Sequence, residues 1–259
     1  MKKRVLGAFI VLAVLITSLI LGDTIFALVM TLVSMLGLRE LIEIKYEKRK
    51  VNFIKVLSYI LMIVFMFNNV FYKVKVDILL TLTILLFVIP VVFYNDKDKY
   101  NILDAFYFIG GVYFLSFAFS NIVYLRDINI YKCIYVFIIS FITDTYAYIG
   151  GMLIGKHHFT DISPKKTIEG SIVGTVMGVF IGSMFYYAII GDISLIGIVF
   201  MSFVLTLLSE IGDLSFSSIK RYFGKKDYSN LIPGHGGILD RFDSVIFVSL
   251  GIKLLLSIL

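Results

Sequence analysis

A single cysteine, Cys133, in a chain of 259 residues leaves no partner for an internal disulfide and no basis for a cysteine-ligated metal cluster. Charge is scarce as well: Asp, Glu, Lys and Arg make up 16% of the chain against 59% hydrophobic residues, and the mean hydropathy is +0.95. A soluble domain of this length needs a more polar surface than that. Also missing is the short apolar-polar alternation that a membrane β-barrel requires. These absences leave an all-α, polytopic helical membrane protein, because the apolar residues come in blocks about long enough to cross a bilayer. No small-x-small cleavage site precedes Gly22-Asp23, so the basic start and the apolar run to Leu21 read as a first membrane helix rather than a removed signal peptide.

About nine transmembrane helices are expected, near residues 5–21, 25–41, 54–72, 78–94, 105–125, 130–153, 171–190, 193–216 and 238–259. Basic residues orient them. With the N-terminus cytoplasmic, three fall before Val5, six between Arg39 and Lys55, two at Lys97 and Lys99, three between Lys156 and Lys166, and five between Lys220 and Arg241, which is 19 of the 24 Lys and Arg. That asymmetry follows the positive-inside rule, and it places the C-terminus on the far side. The same rule explains the net charge of +6 through cytoplasmic loops and lipid headgroups, with no nucleic acid needed. The run from Arg39 to Lys55 reads as an extension of the second helix with a solvated face near anionic headgroups. Residues 1–129 carry few polar groups inside their spans and read as scaffold. Residues 130–259 hold the polar motifs, and both parts form one membrane-embedded unit, with no inverted repeat evident between them.

One stretch breaks the apolar pattern: Ser209 to Ser244, SEIGDLSFSSIKRYFGKKDYSNLIPGHGGILDRFDS. On a helix, Glu210, Asp213, Ser217 and Lys220 recur every three or four residues and share one face. After a polar linker comes Pro-Gly-His-Gly-Gly, then Asp240, Arg241 and Asp243 open the last apolar run. Glycines let backbone N–H groups approach a ligand, and a helix start adds partial positive charge, so this junction suits phosphate oxygens. Carboxylates beside a phosphate repel it unless a cation intervenes, and oxygen-only ligands favour Mg2+. The stretch reads as a metal-assisted site for phosphate chemistry at the cytoplasmic face.

Asp144, in FITDTYAYIGG, lies deep in the sixth span, where a carboxylate is costly and marks a functional site unless a lysine or tyrosine simply pairs with it. The next loop, GKHHFTDISPKKTIEG, offers Ser163, Lys165 and Lys166 to phosphate oxygens; otherwise it is an ordinary positive-inside loop. Neighbouring His157 and His158 do not point the same way and make a poor metal pair. Gly170, Gly174, Gly178 and Gly182 form a four-residue ladder that suits close helix packing, and that ladder also permits a homodimer. His235 between its glycines is a phosphate donor, a proton carrier or a turn residue.

Ser217-Ser218-Ile219-Lys220-Arg221, Lys226-Asp227, Pro233-Gly234-His235-Gly236-Gly237 and Asp240-Arg241-Phe242-Asp243 together closely resemble the signature of phosphatidate cytidylyltransferases, also called CDP-diglyceride synthases. Asp144-Thr145 with Ala147-Tyr148, and Ser163-Pro164-Lys165-Lys166-Thr167 with Glu169-Gly170, resemble the same family. The resemblance covers the second half of the chain. It implies a multi-pass enzyme of the cell (inner) membrane that makes CDP-diacylglycerol and pyrophosphate from CTP and phosphatidate with Mg2+, a second cation being left open. On that basis Asp213, Asp240 and Asp243 are the expected metal ligands, with Asp144 assisting, and Lys220 is catalytic. Arg221, Lys226, Lys165 and Lys166 then hold phosphate oxygens, and Ser163, Ser217, Asp227, His235, Gly236, Gly237 and Arg241 complete the substrate site. Two rivals remain: an ion- or proton-coupled transporter, since intramembrane acids also mark ion routes, and another CTP-using membrane enzyme such as a polyprenol kinase.

Overall fold

Apolar blocks separated by polar loops can satisfy their backbone in a bilayer only as helices, and that is how they fold. A computed structural model describing residues 2–46, 52–68, 74–94, 100–231, 234 and 236–258 contains, among those residues, nine helices. They are α1 (Lys2–Leu21), α2 (Asp23–Tyr46), α3 (Asn52–Phe67), α4 (Val76–Phe93), α5 (Ile102–Ile128), α6 (Ile130–Ile154), α7 (Ile168–Ile189), α8 (Leu195–Tyr222) and α9 (Leu239–Leu256). Six are long and apolar enough to cross a membrane: α2, α4, α5, α6, α7 and α8. Shorter apolar stretches run Leu12–Leu21 in α1 and Phe53–Phe67 in α3. The 18 residues of α9 include Asp240, Arg241, Asp243 and Lys253. Lys97, Lys99, Pro233 and His235 lie outside the described residues.

The chain forms two compact units, Met1–Tyr124 with Tyr228–Leu239, and Leu125–Asp227 with Asp240–Leu259. In the first, Phe26, Met30, Leu38, Ile42 and Tyr46 make a fully buried stripe along α2. Tyr46 stacks on Phe108 at 5.3 Å between ring centroids, and Phe108 on Phe87 at 5.6 Å. Such offset aromatic pairs add about 0.5–1.5 kcal/mol each beyond the area they bury. The start of α5 is sealed by a reciprocal cap, Asn101 N–H donating to Asp104 Oδ2 at 3.0 Å and Asp104 N–H to Asn101 Oδ1 at 3.1 Å. The remaining Asp104 oxygen takes Tyr46 Oη at 2.6 Å and Lys45 Nζ at 2.9 Å. The Arg39–Lys55 run is thus only partly what its mixed charge suggests. It does extend α2 to Tyr46, but Glu40, Leu41, Ile42, Ile44 and Tyr46 are buried. An acid and a tyrosine whose polar atoms are hydrogen-bonded cost little to bury, and composition alone cannot show those partners.

In the second unit the glycine ladder of α7 meets α6. A Cβ at Gly170 would stand 2.5 Å from the Ala147 carbonyl, at Gly174 2.7 Å from that of Thr143, and at Gly182 against Ile139. Packing is therefore the ladder's use, and α6 reciprocates with Gly150 against Val173. Thr167 caps α7, its Oγ1 accepting from Gly170 N–H at 3.1 Å, and Ser194 caps α8 in the same way through Gly197. α8 continues six residues past the expected end at 216, because the polar face from Glu210 to Lys220 keeps the helical period. At Gly178 a Cβ would lie 2.5 Å from Thr143 Oγ1 and 2.6 Å from Thr206 Cγ2. Gly178→Leu drives a whole side chain into that space and is expected to cost about 1–3 kcal/mol. Thermal unfolding in detergent should show it, beside Gly110→Ala as control, where a Cβ meets nothing within 4 Å.

Candidate functional site

Helical spacing alone puts Glu210, Asp213, Ser217 and Lys220 on one stripe of α8, and the structure holds that stripe in a single unbroken helix. Ser217 Oγ donates to Asp213 Oδ1 one turn back at 3.3 Å. Further along, Lys220 Nζ reaches Asp240 Oδ1 in α9 at 2.7 Å, with the two side chains 10% and 4% exposed. Gly212 makes this approach possible, since a Cβ there would stand 2.8 Å from the Asp243 carbonyl oxygen. The first turn of α9 thereby lies against the backbone of α8, and its two acids come with it.

Beside Asp213 opens a cleft of about 330 Å³ between α6, α7, α8 and the loop before α7. Three carboxylates line it, Asp144, Glu210 and Asp213, together with the ammonium groups of Lys165 and Lys166. Lys166 Nζ pairs with Asp213 Oδ2 at 2.6 Å. Asp144 accepts from Ser244 Oγ of α9 at 3.0 Å, while Ser244 N–H donates to Asp243 Oδ1 at 2.9 Å. The partner hydrogen-bonded to Asp144 is thus a serine rather than the lysine or tyrosine a purely structural pair would use. Ser244 thereby links the Asp144 carboxylate of α6 to the Asp243 carboxylate of α9. Glu210 is held by Ser171 Oγ and by Thr175 Oγ1, the latter at 3.2 Å.

The loop that carries the lysines is built rather than loose. His158 and Thr167 form an isolated bridge, Phe159 N–H donates to Lys166 O at 2.9 Å, and Lys166 N–H donates to Ser163 O at 3.0 Å. Glu169 receives the N–H groups of Lys156 and His157 and meets His157 Nδ1 at 2.5 Å. His158 Nδ1 instead faces Pro164 O at 2.9 Å, so the adjacent imidazoles serve different partners. Arg221 contacts this loop, Nε donating to Ile162 O at 3.4 Å, and ties back to Lys225 O at 2.9 Å.

Other expected residues sit elsewhere. Lys226 and Asp227 are exposed in the turn after α8, and Arg241 is exposed on α9. Gly234 and Gly236 adopt φ of 78° and 82°, a backbone that favours glycine, on either side of His235. One expectation needs correcting: Ile238 and Leu239, whose N–H groups open α9, donate to the Glu40 carboxylate at 2.9 and 2.8 Å, so these two are not waiting for a phosphate. Sequence reasoning passed over Glu40, Ser171, Thr175 and Ser244. Only the position of Ser244, one turn after Asp240, carried a hint; the others are single polar residues on apolar faces.

A model of the cytidylyltransferase family matches residues 2–259. Proteins named phosphatidate cytidylyltransferase are similar along nearly the whole chain. That of Staphylococcus haemolyticus is 30% identical over 253 residues, that of Staphylococcus aureus 31% over 253, and that of Staphylococcus epidermidis 32% over 256, each alignment covering 96% of both chains. Lys220→Met, which leaves the buried Asp240 carboxylate without that ammonium, is expected to destabilise the protein by about 3 kcal/mol, with part of the loss recovered in Lys220→Met/Asp240→Asn. Unfolding midpoints of wild type and both variants in one detergent check it.

Proposed function

Because the chain belongs to the cytidylyltransferase family, we infer that its cleft joins a nucleoside triphosphate to a lipid phosphate. The enzyme makes CDP-diacylglycerol and pyrophosphate from CTP and phosphatidate, a step of phospholipid biosynthesis. It is an integral membrane protein. The observation that carries the reading is the cleft itself, where Lys165 and Lys166 stand opposite Asp144, Glu210 and Asp213 among membrane-crossing helices.

In the reaction a phosphate oxygen of phosphatidate attacks the α-phosphorus of CTP. A new P–O–P linkage forms, the bond between the α- and β-phosphates breaks, and pyrophosphate departs with its electron pair. No side chain has to deprotonate the nucleophile, because a phosphate monoester is already largely ionised near neutrality. The difficulty is bringing two polyanions together, so the protein's task is to place positive charge and fix orientation. Lys166 and Lys165 provide such charge at the cleft, and Lys220, Arg221 and Lys226 provide it along the end of α8. Displacing Lys166 from Asp213 onto a phosphate exchanges one anionic partner for another and leaves the Asp213 carboxylate available. Ser163, Ser217, Asp227, His235, Gly236, Gly237 and Arg241 keep the substrate-binding roles assigned by the resemblance.

Those carboxylates fit a hard divalent cation. The donors are oxygens only, and Mg2+ commonly uses one or two protein carboxylates and completes its shell with water and substrate phosphates. Among the described residues no group of three or more His, Cys, Asp or Glu forms a ready-made cage. Asp213 and Asp240 would hold it, with Asp243 and Asp144 assisting, and when bound it would neutralise phosphate charge and stabilise the departing pyrophosphate. The loops bearing the lysines face the cytoplasm, where CTP is, as the distribution of basic residues favours. The apolar helices would then cross the bilayer of the cell membrane, nine of them on the sequence-based expectation, and the acyl chains would stay in the lipid while the head enters the cleft sideways.

Asp213→Asn removes one charge with almost no change of shape. Purified in detergent, it should retain the wild-type unfolding midpoint within a few degrees and lose about 100-fold or more of Mg2+-dependent CDP-lipid formation. Turnover within twofold of wild type would remove Asp213 from the site.

A further inference from the structure

Glu40 stands near the end of α2 with 3% exposure. A carboxylate so far from water must be fully bonded to be tolerated, and these partners all come from one short segment. Oε1 accepts from Ser229 Oγ at 2.6 Å and from Ile238 N–H at 2.9 Å, and Oε2 accepts from Leu239 N–H at 2.8 Å. The two N–H groups are donors at the entry to α9, which a helix cannot satisfy within its own ladder. Caps of this kind normally come from a side chain a few positions away; here the acceptor is 198 residues earlier in the chain. Negative charge is favoured at this end of a helix by the aligned peptide dipoles.

The fit on either side of the carboxylate is tight. A Cβ on Gly237 would lie 2.5 Å from Glu40 Cδ, and a Cβ on Gly37, one turn before Glu40, would lie 3.0 Å from Leu239 Cδ2. Leu239 is fully buried and Ile238 is 5% exposed. Gly37 and Glu40 of α2 therefore accept residues 237–239 in a single register. The residue after Leu239 is Asp240, and Asp243 completes the same first turn of α9.

We propose that Glu40 is a positioning residue for the transfer reaction. By taking Ser229 Oγ and the N–H groups of Ile238 and Leu239, it sets the rotation and height at which α9 begins, and with them the direction in which the Asp240 and Asp243 carboxylates leave the helix. It touches neither substrate. The role rests on the function proposed above, since only there are those two acids part of the site. A helix start released by one residue moves its first-turn side chains by ångströms, enough to affect a reaction that depends on alignment.

The test uses the full chain in detergent, with Glu40→Gln as the near-isosteric change, Glu40→Asp as the conservative one and Gly237→Ala as the same clamp disturbed from the other side. Wild-type turnover of CTP and phosphatidate reports on the function itself; the ratio of variant to wild type reports on Glu40. Glu40→Gln is expected to lower kcat by about 10- to 100-fold with KM for CTP changed less than threefold, and Glu40→Asp to recover part of the loss. Hydrogen exchange should show faster exchange at the Ile238 and Leu239 amides in Glu40→Gln, a readout independent of any activity, with other helices unaffected. Gly237→Ala should reproduce both effects. Unchanged exchange at 238 and 239, or kcat within twofold of wild type in Glu40→Gln, would overturn the proposal. So would a fall in activity matched by an equal fall in folded protein across all three variants.

Discussion

Two carboxylate-ammonium pairs govern the second unit: Lys166 with Asp213 at 2.6 Å and Lys220 with Asp240 at 2.7 Å. Both pairs use α8, one binding it to the loop before α7 and the other to the first turn of α9. An acid at the end of a membrane helix is expensive unless a cation or a set of donors compensates it. Compensation and the proposed chemistry call for the same groups. Under the proposed function a phosphate would claim each ammonium that now balances a carboxylate, and each carboxylate so released would be a ligand for a divalent cation.

Rigid packing makes that exchange possible. The α7 ladder brings Gly170, Gly174 and Gly178 within van der Waals contact of the α6 backbone or of Thr143, so Asp144 on α6 and Ser171 on α7 stand at fixed places on the cleft wall. Gly212 does the same for α8 and α9. Small residues supply close approach where the hydrophobic effect cannot drive helices together in lipid. Polar side chains then occupy positions that the packing has already determined, which is what alignment of two reacting phosphates requires.

Much of this was legible from residue order. Helical period placed Glu210, Asp213, Ser217 and Lys220 on one face, and α8 bears them so; the four-residue glycine spacing pointed to packing, and α6 is what it packs against. The signature residues from Ser217 to Asp243 pointed to the family that the whole chain matches. What stayed hidden depends on distant partners. Glu40 in a mixed-charge run looks like any solvated acid, because its donors at 229, 238 and 239 are nearly 200 residues away. The two N–H groups that open α9 after the glycine-rich junction looked open to phosphate for the same reason: backbone donors can be counted from sequence, but not their acceptors. Ser171 and Thr175 are ordinary hydroxyls on an apolar helix until Glu210 of α8 is seen to accept from both.

At the centre of this account the cleft transfers cytidylyl, not a phosphoryl group or an ion. Incubating the purified protein with phosphatidate, Mg2+ and CTP labelled either in the α-phosphate or in the γ-phosphate tests it directly. The expected result is α-label in the lipid product and γ-label wholly in released pyrophosphate, in equal amounts. Label from the γ-phosphate in lipid, or no labelled lipid from an active, folded preparation, would contradict it.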